Sequence, residues 1–253
     1  MNNINNVKLV LSDSATFKDA INSISGLVTE TNITLKPTHL EIVAMEAANV
    51  GMIIFKMMNT EFAEYKIGDS EEATFGLKLS DFKSVLSRGK EKDQVLTLSI
   101  DGNQLKISFV GKTKKDFTLP LIDTGVKATK IPNLNFNAEI TIDNSELRDA
   151  VDDVSIVSEA VEFKVEKGIF IVSGAGDQSK AMSETKGTVK VIEAEKSAKS
   201  KFSIEYINKM LNSKLNKVVK VGLGSGYPLK LSYVNDKGSI SLTYILAPRV
   251  DND

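Results

Sequence analysis

The chain contains no cysteine, no tryptophan and a single histidine, His39. Without thiols it forms neither disulfides nor thiolate metal sites, and one imidazole is too few for a two-histidine site. The sequence also lacks the run of about 18 apolar residues that a transmembrane helix needs. Its first residues lack the basic and apolar regions of a secretory signal peptide. We therefore expect a globular protein of the cytoplasm.

The chain has little excess charge of either sign. Its 32 basic and 33 acidic side chains leave a net charge of −1 over 253 residues. A protein that binds DNA through phosphate contacts alone is normally strongly basic. Three alternatives remain: the chain does not touch nucleic acid, it uses one locally basic face, or it stays on nucleic acid by topology.

No motif carries a recognisable catalytic site. Gly111-Lys112-Thr113 has Lys106 where a phosphate-binding loop requires glycine. His39 is expected at the start of a strand, and the adjacent Asp152 and Asp153 point apart on a helix, whereas acid–base chemistry needs converging carboxylates. The sequence therefore predicts no catalytic residues, no metal site and no cofactor, which favours a binding or scaffolding role.

The chain repeats itself at about half its length. Phe17–Ser25 matches Leu147–Ser155, and Leu105–Val110 matches Leu229–Val234 almost residue for residue. Between these matches, the apolar positions of 78–86 parallel those of 203–211. Three matches in the same order indicate duplication of a domain.

Each half has the same hydrophobic patterning. Helical spacing of apolar residues predicts two short amphipathic helices per half, beginning near Phe17, Phe82, Leu147 and Tyr206. Most of the remainder alternates with period two, and Asp101–Asn103 and Asn235–Gly238 are typical of hairpin turns. We expect an α+β fold of two duplicated domains, each a mostly antiparallel sheet with two helices.

A long segment without periodicity joins the halves. It contains Pro120 and Pro132, and long connectors in compact proteins are often functional. The predicted organisation is an N-terminal domain at 1–117, a connector at 118–135 and a C-terminal domain at 136–253.

The C-terminal segment Tyr244–Arg249 resembles the ending of proliferating cell nuclear antigens, in which a final strand runs into Leu-Ala-Pro and a basic residue. Leu40–Val50 and Phe163–Asp177 resemble the strand-and-loop segments of the two family domains. The resemblance covers essentially the whole chain. It implies the DNA clamp fold, assembled from three subunits into a pseudo-sixfold ring, with open sheet edges that pair between subunits near Leu105–Asp116 and Ser179–Val189.

The resemblance also implies a function without catalysis. Such a ring is a DNA polymerase sliding clamp, or processivity factor, that encircles double-stranded DNA without sequence specificity. It tethers DNA polymerase, clamp loader, flap endonuclease and ligase through short peptide motifs. The location is then cytoplasmic and nucleoid-associated in an archaeon, or nuclear in a eukaryote or its virus.

Two sets of site residues follow from the resemblance. The helices lining the hole offer basic side chains to DNA, namely Lys18, Lys83, Arg88, Lys90, Arg148, Lys209, Lys214 and Lys217. The third helix departs from the family pattern by carrying Asp149, Asp152 and Asp153, and the fourth by carrying Glu205. The partner-peptide groove comprises Met45, Asn49, Val50, Met52, Ile131, Pro228, Ile245, Leu246, Ala247 and Pro248.

Three alternatives stand beside the homotrimeric clamp. The first is a subunit of a heterotrimeric clamp, and the second is a checkpoint-type clamp subunit, which shares the fold. The third, most remote, is a two-domain enzyme of β-rich fold.

Overall fold

The structure is a computed structural model of the chain and describes residues 6–68, 71–90, 93–125, 129–185, 187–191 and 197–250. The chain divides into two compact units. Unit 1 comprises Met1–Ala47, Ile53–Lys130 and Val234–Leu242, and unit 2 comprises Ala48–Met52, Ile131–Tyr233 and Thr243–Asp253. Each unit contains a pair of helices and antiparallel strands.

Unit 1 contains the elements of the first repeat. In chain order these are β1 (Val7–Leu11), α1 (Ala15–Ile24), β2 (Glu30–Lys36), β3 (His39–Met45), β4 (Gly51–Met58), β5 (Glu64–Ile67), β6 (Ala73–Lys78), α2 (Leu79–Leu86), β7 (Val95–Asp101), β8 (Gln104–Val110) and β9 (Lys114–Pro120), with a 3-10 turn at Asn59–Glu61. One sheet has the order β5-β1-β7-β8-β9, and the other contains β4-β3-β2-β6.

Unit 2 repeats this arrangement. Its elements are β10 (Ala138–Asp143), α3 (Asn144–Ser155), β11 (Ala160–Glu166), β12 (Ile169–Ala175), β13 (Lys180–Thr185), β14 (Thr188–Val191), β15 (Ala198–Ser203), α4 (Ile204–Met210), β16 (Val218–Leu223), β17 (Leu229–Val234) and β18 (Ile240–Leu246). The strand orders are β13-β12-β11-β15 and β14-β10-β16-β17-β18. The unit boundaries fall inside β4, β17 and β18.

Helical spacing explains the buried faces of the helices. Helix α1 buries Phe17, Ala20, Ile21 and Ile24, and α3 buries the repeat-equivalent Leu147, Ala150, Val151 and Val154. Helices this short are marginal alone in water and depend on such packing. In unit 1 the rings of Phe17 and Phe82 meet edge to face, with centroids 6.2 Å apart, so α1 and α2 lie side by side.

The predicted hairpin of the first repeat is present. Leu105, Ile107 and Phe109 of β8 are buried, while the residues between them face outward. The strand pairs with β7 at Leu98↔Ile107, and Gly102 in the turn between them has φ +58°. Glycine adopts that left-handed conformation without steric cost.

The expected sheet edge in unit 1 holds only in part. Of the segment Leu105–Asp116, the residues Lys114–Asp116 belong to the edge strand β9 (Lys114–Pro120), whereas β8 lies between β7 and β9. Burial explains the difference, because alternate residues of β8 are buried whereas none of β9 is. The segment Ser179–Val189 contains β13 and the start of β14, each of which is the edge strand of its own sheet, and β14 pairs with β10.

The predicted α+β architecture of duplicated, mostly antiparallel domains is confirmed, with four α-helices among the described residues. None of the helices in the described ranges is long and apolar enough to cross a membrane.

Candidate functional site

The basic side chain of α1 is committed to a contact inside unit 1. Lys18 Nζ donates to the carbonyl oxygen of Gly89 at 2.6 Å, just beyond the end of α2. Burial lowers the pKa of Lys18, against the opposing effect of Asp13 and Asp19. A cation placed here satisfies a carbonyl group in the turn that follows α2.

Arg148 makes the equivalent contact in unit 2. The two residues correspond in the repeat, and the Arg148 guanidinium donates to the Leu211 carbonyl and to Asn212 Oδ1, the latter at 3.0 Å. Leu211 directly follows α4. In both units, therefore, the basic residue of the first helix fastens the end of the second helix.

The remaining predicted DNA-facing residues lie on or after the second helix of each unit. Lys83, Arg88 and Lys90 in unit 1, and Lys214 and Lys217 in unit 2, are exposed. Lys115 of β9 donates to the Arg88 carbonyl at 3.2 Å and so supports the loop that carries Arg88.

Lys209 is already paired. Its Nζ lies 2.7 Å from Glu205 Oε1, one helical turn away, and 5.6 Å from the centroid of the Tyr206 ring. On α3, Asp149, Asp152 and Asp153 are exposed. Of the predicted DNA-facing residues, the exposed ones therefore lie on the second helices or in the loops after them.

Part of the predicted partner groove forms a cavity in unit 2. The Ala247 N–H donates to the Val50 carbonyl at 2.8 Å and joins the loop before β4 to the C-terminal segment. Asn49 in that loop has φ +59°, a left-handed conformation that asparagine tolerates better than most residues. The cavity has a volume of about 630 Å³ and is lined by Val50, Ser155, Ser158, Glu159, Ser203, Ile204, Glu205, Tyr206, Leu246, Ala247, Pro248 and Arg249.

The other predicted groove residues differ in exposure. Val50 is 36% exposed and Ile131 is 45% exposed, whereas Met52 and Ile245 are buried. Pro228 is half-buried in unit 2, and Met45 is half-buried in unit 1. Of the predicted groove, the structure therefore brings Val50 together with Leu246–Pro248 around the cavity.

Sequence reasoning missed the opposite wall of this cavity. Ser203–Tyr206, at the start of α4, and Glu159, whose carbonyl accepts from the Ile204 N–H at 3.1 Å, were not assigned to the groove. No local motif marks these residues, since chain folding alone brings them to the C-terminal segment.

A larger cavity of about 1280 Å³ lies beside β13 in unit 2. Its lining includes Ile156 and Met182, which are 82% and 69% exposed.

His39 lies in an ion-pair cluster on the strands of unit 1. Glu41 accepts from Lys36 at 2.8 Å and lies 3.3 Å from Lys56, and His39 Nε2 is 3.6 Å from the same carboxylate. Burial acts to raise the pKa of Glu41, but the hydrogen bonds from the two lysines outweigh it and hold the pKa below its ordinary value. Within the described ranges, no group of three or more His, Cys, Asp or Glu residues is placed to hold a metal ion.

The repeated helix pairs and antiparallel sheets define a protein of the DNA clamp class. Residues 7–128 match the model of the proliferating cell nuclear antigen N-terminal domain, and residues 130–249 match that of its C-terminal domain. The chain belongs to the proliferating cell nuclear antigen family, whose members are DNA sliding clamps and not enzymes. The predicted family, fold and clamp function without catalysis are thereby confirmed.

Archaeal sliding clamps are similar in sequence to this chain over nearly their whole length. The chain is 31% identical to the DNA polymerase sliding clamp of Thermococcus onnurineus over 97% of this chain and 99% of the relative. It is 28% identical to the clamp of Nanoarchaeum equitans, covering 97% of this chain and all of that protein.

Solved structures of the family have the same fold. The proliferating cell nuclear antigen of Thermococcus kodakaraensis matches with a TM-score of 0.88 at 21% identity, over 96% of this chain and 100% of that one. The A. fulgidus protein, solved with the C-terminal region of FEN-1, matches with a TM-score of 0.82 at 25% identity, over 98% and 100% of the two chains.

Proposed function

We propose that this chain encircles duplex DNA as a sliding clamp and tethers replication and repair proteins through a peptide groove. The observation that carries the proposal is the repeated basic surface, which places exposed cations on or after the second helix of both units. Because the net charge is −1, retention on DNA depends on ring topology, while weak phosphate contacts permit sliding. The proposed DNA-facing residues are the set that the family resemblance implies, namely Lys18, Lys83, Arg88, Lys90, Arg148, Lys209, Lys214 and Lys217.

Charge reversal tests this surface. A variant carrying Glu at Lys83, Arg88, Lys209 and Lys214 should lose retention on circular DNA and polymerase processivity. The wild type should bind short open duplex weakly, with affinity that falls steeply as salt rises.

A second fourfold variant controls for net charge. It carries Glu at Lys66, Lys220, Lys230 and Lys237, which lie on strands or in a hairpin turn. The control should keep wild-type processivity. Equal processivity in both variants and the wild type would show that the basic surface does not face DNA.

The partner groove is proposed to run along the connector and the C-terminal segment. The cavity lined by Val50 and Leu246–Pro248 supports this location, and the exposed Ile131 supplies an apolar anchor point. The ligand is a short peptide with Gln followed by spaced aliphatic and aromatic residues, as carried by a polymerase, clamp loader, flap endonuclease or ligase. Hot-spot contacts of this kind typically each contribute about 1–3 kcal/mol.

Calorimetric titration of such a peptide tests the groove. Ile131→Asp should abolish measurable binding, because a charge would replace the apolar contact, whereas Ile169→Asp, at an exposed residue of β12, should leave it unchanged. Equal affinity of Ile131→Asp and wild type would refute the groove.

Three copies are proposed to close the ring through β9 of one chain and β13 of the next. Each edge exposes both signs of charge, Lys114 and Asp116 on β9 and Lys180 and Glu184 on β13. Copies of one chain are therefore able to pair with opposite charges facing, which favours a homotrimer over a heterotrimer or checkpoint-type ring. Light scattering should give three times 27.6 kDa; a monomer at high concentration would instead support the mixed ring.

The archaeal sources of the relatives support a cytoplasmic, nucleoid-associated location. The proposed domain bounds remain 1–117 and 136–253, with the connector at 118–135.

A further inference from the structure

The loop between α3 and β11 forms one wall of a cavity in unit 2. Its residues Ser158 and Glu159 line the cavity of about 630 Å³ (the peptide cavity) together with Val50 and Leu246–Pro248. The same two loop residues also line the larger cavity of about 1280 Å³ beside β13. Because the loop borders open space at both cavities, contacts elsewhere in unit 2 must set its position.

Local hydrogen bonds fix the shape of this loop. The N–H groups of Val157 and Ser158 both donate to the Val154 carbonyl near the end of α3, at 3.0 Å and 3.1 Å. Ser158 Oγ accepts from the Ala160 N–H at 3.1 Å and donates to the Ala160 carbonyl at 2.8 Å. These bonds join residues that are close in sequence, so they define a local turn but do not support it against the rest of unit 2.

Two glycines at the end of β12 support the loop from one side. A Cβ on Gly176 would lie 2.4 Å from the Val157 carbonyl oxygen. A Cβ on Gly174 would lie 2.3 Å from Val154 Cγ1 and 3.2 Å from Ser158 Cβ. Neither glycine is among the positive-φ residues, so both serve close approach of the loop and not an unusual backbone conformation. A side chain at either position would displace the loop or the end of α3.

The start of α4 supports the loop from the other side. The Ile204 N–H donates to the Glu159 carbonyl at 3.1 Å, and Ser203 pairs with Ala160, the first residue of β11. Ile204 and Ser203 also line the peptide cavity. The loop is therefore fixed between the end of β12 and the start of α4, and all of these residues belong to unit 2.

We propose that Gly174 and Gly176 are positioning residues of the peptide cavity, because they admit the loop that presents Ser158 and Glu159 to a bound peptide. The inference rests on the proposed groove and identifies what holds one of its walls. A wall that is held in place before binding loses less conformational entropy when the peptide arrives, and affinity rises accordingly.

Gly176→Ala tests the support from β12. The added methyl group forces the Val157 carbonyl oxygen to move by about 1 Å to reach an ordinary contact distance. We expect peptide affinity in calorimetric titration to fall about tenfold, because the side chains of the wall then become ordered only on binding. Amide hydrogen exchange at Ile204 should accelerate, because the loop that carries its acceptor moves.

The matched control is Gly222→Ala, in β16 of the same unit. Its added Cβ would lie 2.7 Å from the Phe136 ring, and Phe136 does not line the peptide cavity. The affinity of this variant and its exchange at Ile204 should stay at wild-type values.

A second pair of variants tests the support from α4. Ile204→Pro removes the N–H that donates to the Glu159 carbonyl, and proline is well tolerated at the first position of a helix. Ser203 already has the extended conformation favoured before proline, with φ −71° and ψ 125°. Ile204→Ala loses the same buried side chain but keeps the N–H, so it is the reference. Ile204→Pro should bind the peptide about tenfold more weakly than Ile204→Ala.

The outcomes separate this inference from the proposed groove. If wild type and Ile131→Asp bind the peptide equally, the groove itself is refuted. If Ile131→Asp abolishes binding while Gly176→Ala binds as wild type does, the groove stands and the positioning role is overturned. Should Gly176→Ala fail to fold, the comparison of Ile204→Pro with Ile204→Ala decides in its place, and equal affinities of that pair overturn the role.

Discussion

Replacing Arg148 by methionine tests whether this cation fastens the helix pair of unit 2. Methionine keeps much of the side-chain stem but removes the hydrogen bonds to the Leu211 carbonyl and to Asn212. Hydrogen bonds from charged groups each contribute about 1.5–3 kcal/mol, and partial exposure of the guanidinium reduces that value. The Leu211 carbonyl also keeps its 2.9 Å bond from Asn144 Nδ2, so it is not left without a donor.

We therefore expect Arg148→Met to lower the free energy of unfolding by about 2 kcal/mol. For a chain of this size that corresponds to a Tm lower by about 4–8 °C. The assay is thermal unfolding followed by circular dichroism at fixed protein concentration, since assembly makes Tm depend on concentration. Lys214→Met is the matched control because it removes the same charge from an exposed position after α4.

The control should unfold within about 0.5 kcal/mol of wild type, as exposed substitutions usually do. If Arg148→Met and Lys214→Met were equally stable, the bonds to the end of α4 would contribute nothing to folding. Arg148 would then act only as a surface charge, and the same conclusion would extend to the repeat-equivalent Lys18.

Two further outcomes follow from buried or paired groups. Tyr233→Phe should cost about 1–2 kcal/mol in chemical denaturation, because the buried hydroxyl donates to Asn144 Oδ1 at 2.7 Å; stability equal to wild type would refute this contribution. The pKa of Glu41 is held below its ordinary value of 4.5, so its stabilising effect is present above that pH and is lost as pH falls through the folded-state pKa. The difference in stability between wild type and Glu41→Gln should therefore shrink in acid, and a difference independent of pH would contradict the assignment.

The sequence predicts the helices and the interior hairpin strands well because their patterns are local. Phe17, Ala20 and Ile21 repeat at helical spacing and are buried together. Leu105 and Ile107 alternate and are buried on one face of β8. The spacing of these apolar residues therefore predicts which face of the helix or strand is buried.

The edge strand was harder to predict. In β9 no residue is buried. A strand that pairs on one side only and buries no side chain need not have strictly alternating apolar residues. The mixed sequence of β9 therefore gives a weaker signal than that of β8, and the predicted edge segment includes the interior strand β8 as well as the start of β9.

The sites depend on contacts between distant parts of the chain. Lys18 reaches a carbonyl 71 residues away, and Arg148 reaches one 63 residues away. The duplication indicated that the two residues correspond, but not that both would bind helix ends. Likewise, nothing in the local sequence assigns Glu159 or Ser203 to the cavity beside Pro248.

The two edges β9 and β13 belong to different units of one chain, which has a genetic consequence for the proposed ring. A subunit with a damaged β13, for example one carrying Met182→Asp, keeps an intact β9 and still joins a neighbour. It therefore enters rings that it cannot close. With equal amounts of normal and altered subunits, only about one ring in eight would contain three normal copies. A mutation at one edge of this protein is thus expected to be dominant, whereas a mutation that prevents folding would be recessive.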